Sequence, residues 1–110
     1  MPIIYWIIKI NNKNKDYGYK AAQLCAVNII GQINSAINGN FNKISKCINL
    51  GGFVNSGNNF EDHPYVINGF SELMVEVFGE EMGIGVRSAV RMSLPQNIAV
   101  EIEAHFELKN

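Results

Sequence analysis

The sequence predicts an α+β fold in which two helices cover one face of a mixed β-sheet. Apolar residues recur at three- and four-residue steps in residues 16–37 and again after residue 63, which is typical of amphipathic helices. They alternate every second residue in 44–54 and 98–108, which is typical of strands. The resulting order of strand, helix, strand, helix, strand and strand predicts two layers, with right-handed crossovers between parallel strands.

Length and composition indicate one globular domain spanning residues 1–110. The chain is 47% hydrophobic and 17% charged, which is enough apolar material for one modest core. A lone domain of this size leaves much apolar surface exposed, so we expect subunits to associate. The net charge of −1, with Lys and Arg scattered along the chain, disfavours nucleic acid as a partner.

The two cysteines and the first ten residues bear on the cellular compartment. Cys25 and Cys47 lie far apart without CxxC or Cys/His spacing, so we expect core thiols, neither a disulfide nor a metal site, and a reducing cytoplasm. Residues 1–10 are nearly all apolar but much shorter than the roughly 20 residues of a membrane span. They also lack the basic start and the cleavage site of a signal peptide, so we predict no membrane association and a strand buried on both faces.

The first helix is predicted over residues 16–37, after a polar connection at residues 11–15. Asp16 is the predicted N-cap, and Asn38-Gly39 ends the helix because both residues tolerate the left-handed conformation. The predicted buried stripe comprises Ala22, Cys25, Ala26, Ile29, Ile30, Ile33 and Ile37. The second helix begins near His63-Pro64, since proline fits the first helical turn. Its predicted apolar face comprises Val66, Ile67, Phe70, Leu73, Met74 and Val77.

Residues 44–54 form the predicted central strand. Its two alternating sets are Ile44, Ile48, Leu50 and Val54 on one side and Cys47 and Phe53 on the other. Gly51-Gly52 indicates a bulge or a close backbone approach, or else a flexible strand end. Turn residues follow at 55–59. Residues 79–85 are predicted to be a loop, whose lone Gly-Ile-Gly is too weak a motif to indicate phosphate binding.

The end of the chain is predicted to be a β-hairpin of residues 86–93 and 98–108, joined at residues 94–97. In the last strand, apolar residues alternate with the polar residues Glu101, Glu103, His105 and Glu107. The strand before it also contains two alternating sets, Val86, Ser88, Val90 and Met92 in one and Arg87, Ala89 and Arg91 in the other. If the apolar sets face the helices, Arg87 and Glu101 lie together on the uncovered face.

Six segments of the chain form an ordered series: GGFVNS at 51–56, HPYVING at 63–69, SELMVEVFGE at 71–80, RSAV at 87–90, LP at 94–95 and VEIEAHFEL at 100–108. This series resembles the Rid/YjgF family of reactive-intermediate deaminases. A weaker similarity in YKAAQLCAVNII, at residues 19–30, extends the resemblance over residues 16–108.

The resemblance implies a chorismate-mutase-like α+β fold and a homotrimer with ligand sites in the clefts between subunits. It also implies hydrolysis of enamine and imine intermediates derived from amino acids to ketoacids and ammonia, with no cofactor and no metal. By similarity, Arg87 of the RSAV segment binds the substrate carboxylate, and Glu101 of the VEIE segment positions the attacking water. A guanidinium suits the first role because it offers two parallel donors and stays charged. A carboxylate suits the second because it can orient water toward the C=N carbon.

The chain departs from the family pattern at several positions. Residues 1–15 lack the family's paired strands, tyrosine and Ser-Gly-Gln segment. The segment from Arg87 to Pro95 is one residue shorter than usual, so the register shifts unless a bulge is lost with it. Ser71 occupies the position of the family's asparagine in the second helix, with Asn68 one turn earlier. Ala89 stands where some members have cysteine.

Other interpretations stay open beside these roles. Arg87 is alternatively a structural ion-pair partner of Glu101 or Glu103 across the hairpin. The other polar residues of the last strand are interpreted as a solvated or inter-subunit face, and His63 as a residue at the start of the second helix. For function, the alternative to a deaminase is a non-catalytic trimeric module that binds small carboxylic acids. RNA cleavage, which is sometimes attached to the family, is disfavoured by the charge balance.

Overall fold

The computed structural model describes residues 9–80, 84–95 and 98–110, and side chains 84–86 are outside this description. It contains two helices and a three-stranded mixed sheet, which confirms the predicted α+β class. The elements are α1 (Lys15–Ala36), β1 (Ile44–Val54), α2 (His63–Phe78), β2 (Ile84–Arg91) and β3 (Val100–Leu108), with a 3-10 turn at Phe41–Lys43. Neither described helix is both long and apolar enough to cross a membrane.

The N-terminal strand prediction falls mostly on residues 1–8, which lie outside the described residues. Its last residue, Ile10, is fully buried and forms an isolated parallel bridge with Ser56. The Ile10 N–H donates to the Asn55 carbonyl at 2.8 Å, and the Gly57 N–H donates to the Ile10 carbonyl at 3.2 Å. The start of the described chain is therefore attached to the loop that follows β1.

Helix α1 matches its predicted bounds to within one residue at each end. The predicted N-cap is wrong, because Asn14 occupies that position and Asp16 lies in the first turn. The predicted stop is confirmed, since Asn38 and Gly39 have φ angles of 52° and 77°, in the left-handed region. Burial of the predicted stripe is strongest at Ala22, Cys25, Ala26 and Ile37.

The predicted C-terminal hairpin is wrong. The strand order is β2-β1-β3, with β2 parallel and β3 antiparallel to β1, so β2 and β3 occupy opposite edges of the sheet. The Met92 N–H donates to the Val54 carbonyl at 3.0 Å, and the Asn55 N–H donates to the Ala99 carbonyl at 2.9 Å. Met92 and Ala99 thus lie on the two sides of the carboxyl end of β1, and β3 does not pair with β2.

Two register shifts in β1 correct the predicted alternation of its side chains. They fall between Ile44 and Lys46 and between Cys47 and Asn49 in the pairing with β3, not at Gly51-Gly52. Each shift adds a residue without a partner and so changes which side chains face the helices. As a result, Cys47 is buried with Ile44 and Leu50, whereas Ile48 is 44% exposed.

The helices pack closely on one face of the sheet, which we call the covered face and which includes Leu50, Gly52, Val54, Ala89 and Ile102. A methyl group on Gly52 would lie 2.5 Å from Cδ1 of the buried Ile67 of α2. A methyl group on Gly69 would clash with the backbone carbonyl of Tyr19, so Gly69 permits the close contact between α2 and α1. The predicted apolar face of α2 is confirmed except at Val77, which is 52% exposed.

The opposite face, which we call the open face, carries Gly51, Phe53, Ser88, Val90, Glu101, Glu103 and His105. A methyl group on Gly51 would lie 3.2 Å from the Glu103 side chain, which confirms that both residues share this face. Val90 is 42% exposed, while Ala89 packs against the core. The prediction that the set containing Val90 faces the helices is therefore wrong, because Ala89, from the other set of β2, lies under the helices.

Candidate functional site

Arg87 extends from β2 toward helix α2. Its Cα is in register with that of the buried Leu50, so its side chain leaves the sheet on the covered side. Nη1 donates to Asn68 Oδ1 at 2.7 Å and to Ser71 Oγ at 3.0 Å. Asn68 and Ser71 are three residues apart, so they lie on one side of α2. Both hydrogens of Nη1 are thus used, and no described residue accepts from the edge formed by Nε and Nη2, which can bind a ligand.

The guanidinium of Arg87 is exposed and has only neutral partners among residues 9–80, 84–95 and 98–110. No carboxylate in these ranges lies within 4.0 Å of it. The interpretation of Arg87 as a structural ion-pair partner of Glu101 or Glu103 is therefore wrong. Its positive charge is not neutralised by an acid in the described part of the subunit.

Glu101 lies on the open face, where it is exposed and in register with Phe53. The prediction that Arg87 and Glu101 share the uncovered face is wrong for two reasons. The two strands do not pair with each other, and Arg87 points to the covered side. Within one subunit the sheet separates the guanidinium from this carboxylate.

The remaining polar residues of β3 lie on the surface as predicted. Glu103, His105 and Glu107 are exposed. His105 Nδ1 lies 2.7 Å from Asn49 Oδ1, which connects β3 to β1 across the open face. An imidazole N–H donating to an amide oxygen at an exposed position is typical of a surface histidine.

A second polar cluster lies at the carboxyl end of β2. Arg91 Nε donates to the Ser56 carbonyl at 3.2 Å, and Arg91 Nη2 donates to Asn58 Oδ1 at 2.6 Å. Ser56 is 1% exposed, and its Oγ lies 2.9 Å from His63 Nε2. His63 is the first residue of α2, as predicted, and its ring also contacts Phe60 edge to face.

The outer surfaces of α1 and α2 are joined by side-chain contacts between acids and phenols. Tyr19 Oη donates to Glu72 Oε2 at 2.7 Å, and Tyr65 Oη donates to Asp16 Oδ1. The bond to Glu72, with a smaller contribution from burial, raises the pKa of Tyr19 to about 12. The bond to Asp16 raises the pKa of Tyr65. Since both carboxylates accept from phenols of the other helix, these groups fasten the two helices together.

The cysteines are free and buried, as expected of core residues. Burial, with a smaller effect of the Glu101 charge, raises the pKa of the Cys25 thiol to about 12. Burial also raises the pKa of the Cys47 thiol. Neither thiol is suited to act as a nucleophile at neutral pH, because the thiolate is the reactive form.

Comparison with known proteins identifies the family of this chain. No family model matches the chain. A solved structure of the Agrobacterium tumefaciens protein Atu1372, whose function is unknown, is 42% identical, with a TM-score of 0.87 over 94% of this chain and 67% of that chain. A structure from Shewanella oneidensis described as "a putative endoribonuclease" is 25% identical, with a TM-score of 0.74 over the same shares of the two chains. The chain belongs to the Rid/YjgF family.

A curated relative supports this family assignment at the sequence level. The Rid/YjgF chain is 40% identical over 94 residues to "Protein TCP17" of Trypanosoma cruzi, and the match covers 84% of this chain. The chain spans 58% of the length of that relative.

Asn68 and Ser71 are functional candidates that the sequence did not assign in this Rid/YjgF chain. The family pattern drew attention to both positions, but neither matched the usual asparagine at the usual place. The sequence feature that could have identified them is their spacing of three residues, which puts two polar side chains on one side of a largely apolar helix. Their partner, Arg87, could not be predicted, because the predicted hairpin put Arg87 on the uncovered face of the sheet.

A groove of about 410 Å³ lies elsewhere on the Rid/YjgF chain, at the amino end of β1. It is lined by Phe41, Asn42, Ile44, Ser45, Val77, Phe78 and Lys109. None of the residues predicted to bind substrate or water lines it. Within the described ranges, no three His, Cys, Asp or Glu side chains are close enough to hold a metal ion.

Proposed function

We propose that this protein is a hydrolytic deaminase of reactive enamine and imine intermediates derived from amino acids, of the 2-iminobutanoate and 2-iminopropanoate type. The observation that carries the proposal is the guanidinium of Arg87, which is exposed, oriented by Asn68 and Ser71, and free of any described carboxylate. Membership of the Rid/YjgF family supports the proposal, because the resemblance to this family implies this class of reaction.

Arg87 has the chemistry to hold the substrate carboxylate. Because Asn68 and Ser71 engage Nη1, the Nε and Nη2 hydrogens can meet two carboxylate oxygens in parallel. Fixing the guanidinium before the substrate arrives reduces the entropy lost on binding. This interaction would orient the C=N bond, because the imine carbon of a 2-imino acid is bonded directly to the carboxylate carbon.

The reaction needs a positioned water molecule and little else from the protein. An enamine first takes a proton on carbon to give the protonated imine. Water then adds to the carbon of the protonated C=N bond and gives up one proton. The nitrogen of the tetrahedral product takes up a proton and leaves as ammonia when the C–N bond breaks, while the hydroxyl group loses its proton to solvent and the C=O bond forms. A carboxylate that accepts a hydrogen bond from the water orients it and takes up its proton. We assign this role to Glu101.

Glu101 can serve the same site as Arg87 only if it comes from a second copy of the chain. The two side chains lie on opposite faces of one subunit's sheet. We therefore include in the proposal a homotrimer in which the Arg87 side of one subunit meets the open face of its neighbour. Substrate would then bind in the cleft between them.

The activity test is release of ketoacid from imines generated by an amino-acid oxidase. The expected result is faster release with the native protein, and strong loss in Arg87→Gln and in Glu101→Gln. Glu107→Gln is the matched control, because Glu107 is another exposed acid on the same face of β3. Unchanged activity in Arg87→Gln would eliminate the proposed site.

Mixing the two inactive variants tests the cleft directly. If Arg87 of one subunit acts with Glu101 of another, mixed assemblies of Arg87→Gln and Glu101→Gln contain some sites with both native groups. Activity should then return to a fraction of the native value after the variants are unfolded and refolded together. No recovery, with mixed assemblies demonstrated by mass spectrometry, would contradict a site shared between copies.

The second candidate is a trimeric module that binds small carboxylic acids without turnover. The separation of Arg87 from Glu101 within the subunit favours it, because binding needs only the guanidinium. Saturable binding of 2-oxobutanoate by calorimetry, lost in Arg87→Gln and accompanied by no deamination, would select this candidate over the hydrolase.

A further inference from the structure

Arg91 is a second guanidinium on the same side of β2 that the function proposed for Arg87 does not use. Its Cα is in register with the fully buried Val54, so it also leaves the sheet on the covered side. Four residues separate it from Arg87, which places the two Cα atoms about 13 Å apart along the strand. Their side-chain partners do not overlap.

The position of Arg91 is one at which α/β units commonly bind ligands. Strands β1 and β2 are parallel and both end here, at Val54 and Arg91. In open sheets, ligands bind beyond the carboxyl ends of parallel strands, where the loops to the following elements meet. The loop after β1 supplies Ser56 and Asn58, the two residues that hold Arg91.

The partners of Arg91 leave its charge available. Both are neutral oxygens, and within the described residues no carboxylate approaches the guanidinium to within 4.0 Å. Asp62, the residue before His63, is paired with Lys15 Nζ at 3.0 Å. Nε and one hydrogen of Nη2 are used, and no described residue accepts from the end of the fork, which presents both hydrogens of Nη1 and one of Nη2.

The surroundings of Arg91 are fixed on several sides. Ser56 is almost fully buried, its backbone is bridged to Ile10, and its hydroxyl is bonded to His63. Because Asn58 Oδ1 accepts from Arg91, the Asn58 Nδ2 group is left as a further donor beside the guanidinium. The end of the guanidinium and the Asn58 amide group together offer N–H donors to an anion.

We propose that Arg91 and Asn58 form a second anion site, which takes a small oxyanion such as a phosphate or carboxylate group and is separate from the site at Arg87. The geometry favours a group with at least two oxygens, because the free end of the fork presents parallel N–H groups. The proposal does not depend on the deaminase function, since it rests on a different guanidinium with different partners.

The test is titration of the intact protein with inorganic phosphate and, separately, with acetate, at constant ionic strength. The Arg91 Nε–H and Asn58 Nδ2 signals are followed in ¹H–¹⁵N spectra. One exposed guanidinium and one amide should give saturable shifts with a Kd on the order of 1 mM. Shifts with phosphate alone assign the site to phosphorylated ligands, and similar shifts with both anions assign it to oxyanions in general. No saturable shift of either group with either anion overturns the proposal.

Asn58→Asp is the decisive variant. It replaces the amide that accepts from Arg91 with a carboxylate, whose negative charge neutralises the guanidinium. Asn58 is exposed, so the substitution leaves the core intact. Phosphate binding should weaken by about tenfold or more. Asn59→Asp is the control, since it adds the same charge to the next exposed residue of the loop and should change Kd by less than about twofold. If both variants bind phosphate equally weakly, the loss of affinity is due to net charge alone, and the proposed site is overturned.

Arg87→Gln separates this proposal from the function proposed above. The response of the Asn58 amide to phosphate should persist in that variant, because Arg87 contacts Asn68 and Ser71 and not Asn58. Loss of the response in Arg87→Gln would mean that the anion binds at Arg87 instead, and would overturn the second site while leaving the deaminase proposal standing.

Discussion

The two faces of the sheet differ in packing and in which charged residues of the edge strands they carry. On the covered face the helices lie against Gly52 and Ala89, and the two arginines of β2 extend past this packing to reach polar partners. The open face holds the acidic residues of β3 at exposed positions. One subunit therefore keeps the arginines of β2 and the acids of β3 on different sides of the sheet, and only contact between copies can combine them. A site residue must therefore be assigned to a face of the sheet before it is assigned to a partner.

The largest contrast we expect is in thiol reactivity. Burial raises the pKa of Cys25 from 9.0 to about 12, so its thiolate fraction at pH 8 is roughly a thousandfold below that of an ordinary thiol. Ser88 is exposed on the open face, so Ser88→Cys should react at the rate of an ordinary thiol while both native cysteines stay slow. The measurement is release of thionitrobenzoate from its disulfide at pH 8. Native cysteines that react as fast as the introduced one would contradict the burial of the covered face.

The second contrast is in tolerance of an added methyl group at neighbouring glycines. Gly52→Ala inserts a methyl against the fully buried Ile67 and should lower the free energy of unfolding by about 1–3 kcal/mol. Gly51→Ala meets only the flexible, exposed Glu103 side chain and should cost less than about 1 kcal/mol. Denaturant unfolding of the two variants measures the difference. Equal losses would show that the two faces do not differ in packing as described.

The third prediction concerns how Arg87 is held on the covered side. Asn68→Ala and Ser71→Ala each remove one acceptor from Nη1, which should loosen the guanidinium and weaken binding of 2-oxobutanoate by roughly three- to tenfold. Calorimetry measures the affinity. Glu76→Ala serves as the control, because it changes another exposed residue of α2 outside these contacts. If the alanine variants bind as tightly as the native protein, Asn68 and Ser71 do not position Arg87.

The smallest effect is expected on the outer surface of the helices, which belongs to neither face of the sheet. The bond to Glu72 raises the pKa of Tyr19 from 10.0 in the unfolded chain to about 12. Its contribution to stability is therefore complete below pH 10 and is lost as the pH rises from 10 toward 12. Phenolate absorbance should show Tyr19 titrating near 12 in the native protein and closer to 10 in Glu72→Gln. A Tyr19 titration unchanged by Glu72→Gln would contradict the contact.

The helices and the strand locations could be predicted because they depend on local patterns. The apolar spacing and the left-handed residues Asn38 and Gly39 set the bounds of α1 closely. The N-cap was missed because Asp16 and Asn14 are equally plausible caps by type. The similar solved structures confirm the family resemblance, whose motifs lie in both helices and all three strands of the described chain.

The sheet order and the faces could not be predicted because they depend on contacts distant in sequence. A short link between two alternating segments favours a hairpin, yet Met92 and Ala99 bond to opposite sides of the end of β1. The alternation of side chains along β2 puts Arg87 and Val90 on opposite faces of the sheet, but it does not tell which of these faces the helices cover. On an edge strand, a long arginine can reach around the packing while a small Ala89 fills the space beneath it.

The central position of β1 has a consequence for the order of events during protein synthesis. Both of its partner strands come later in the chain, and β3 ends at Leu108, 54 residues after β1 ends at Val54. At typical rates of translation, this interval lasts on the order of several seconds. The edge of β1 that pairs with β3 stays unpaired throughout that time, and the edge that pairs with β2 stays unpaired until β2 is complete at Arg91. Unpaired edges are the condition that invites pairing between unfinished chains. We therefore expect the nascent protein to depend on ribosome-associated chaperones more than a protein of equal size built from sequential hairpins.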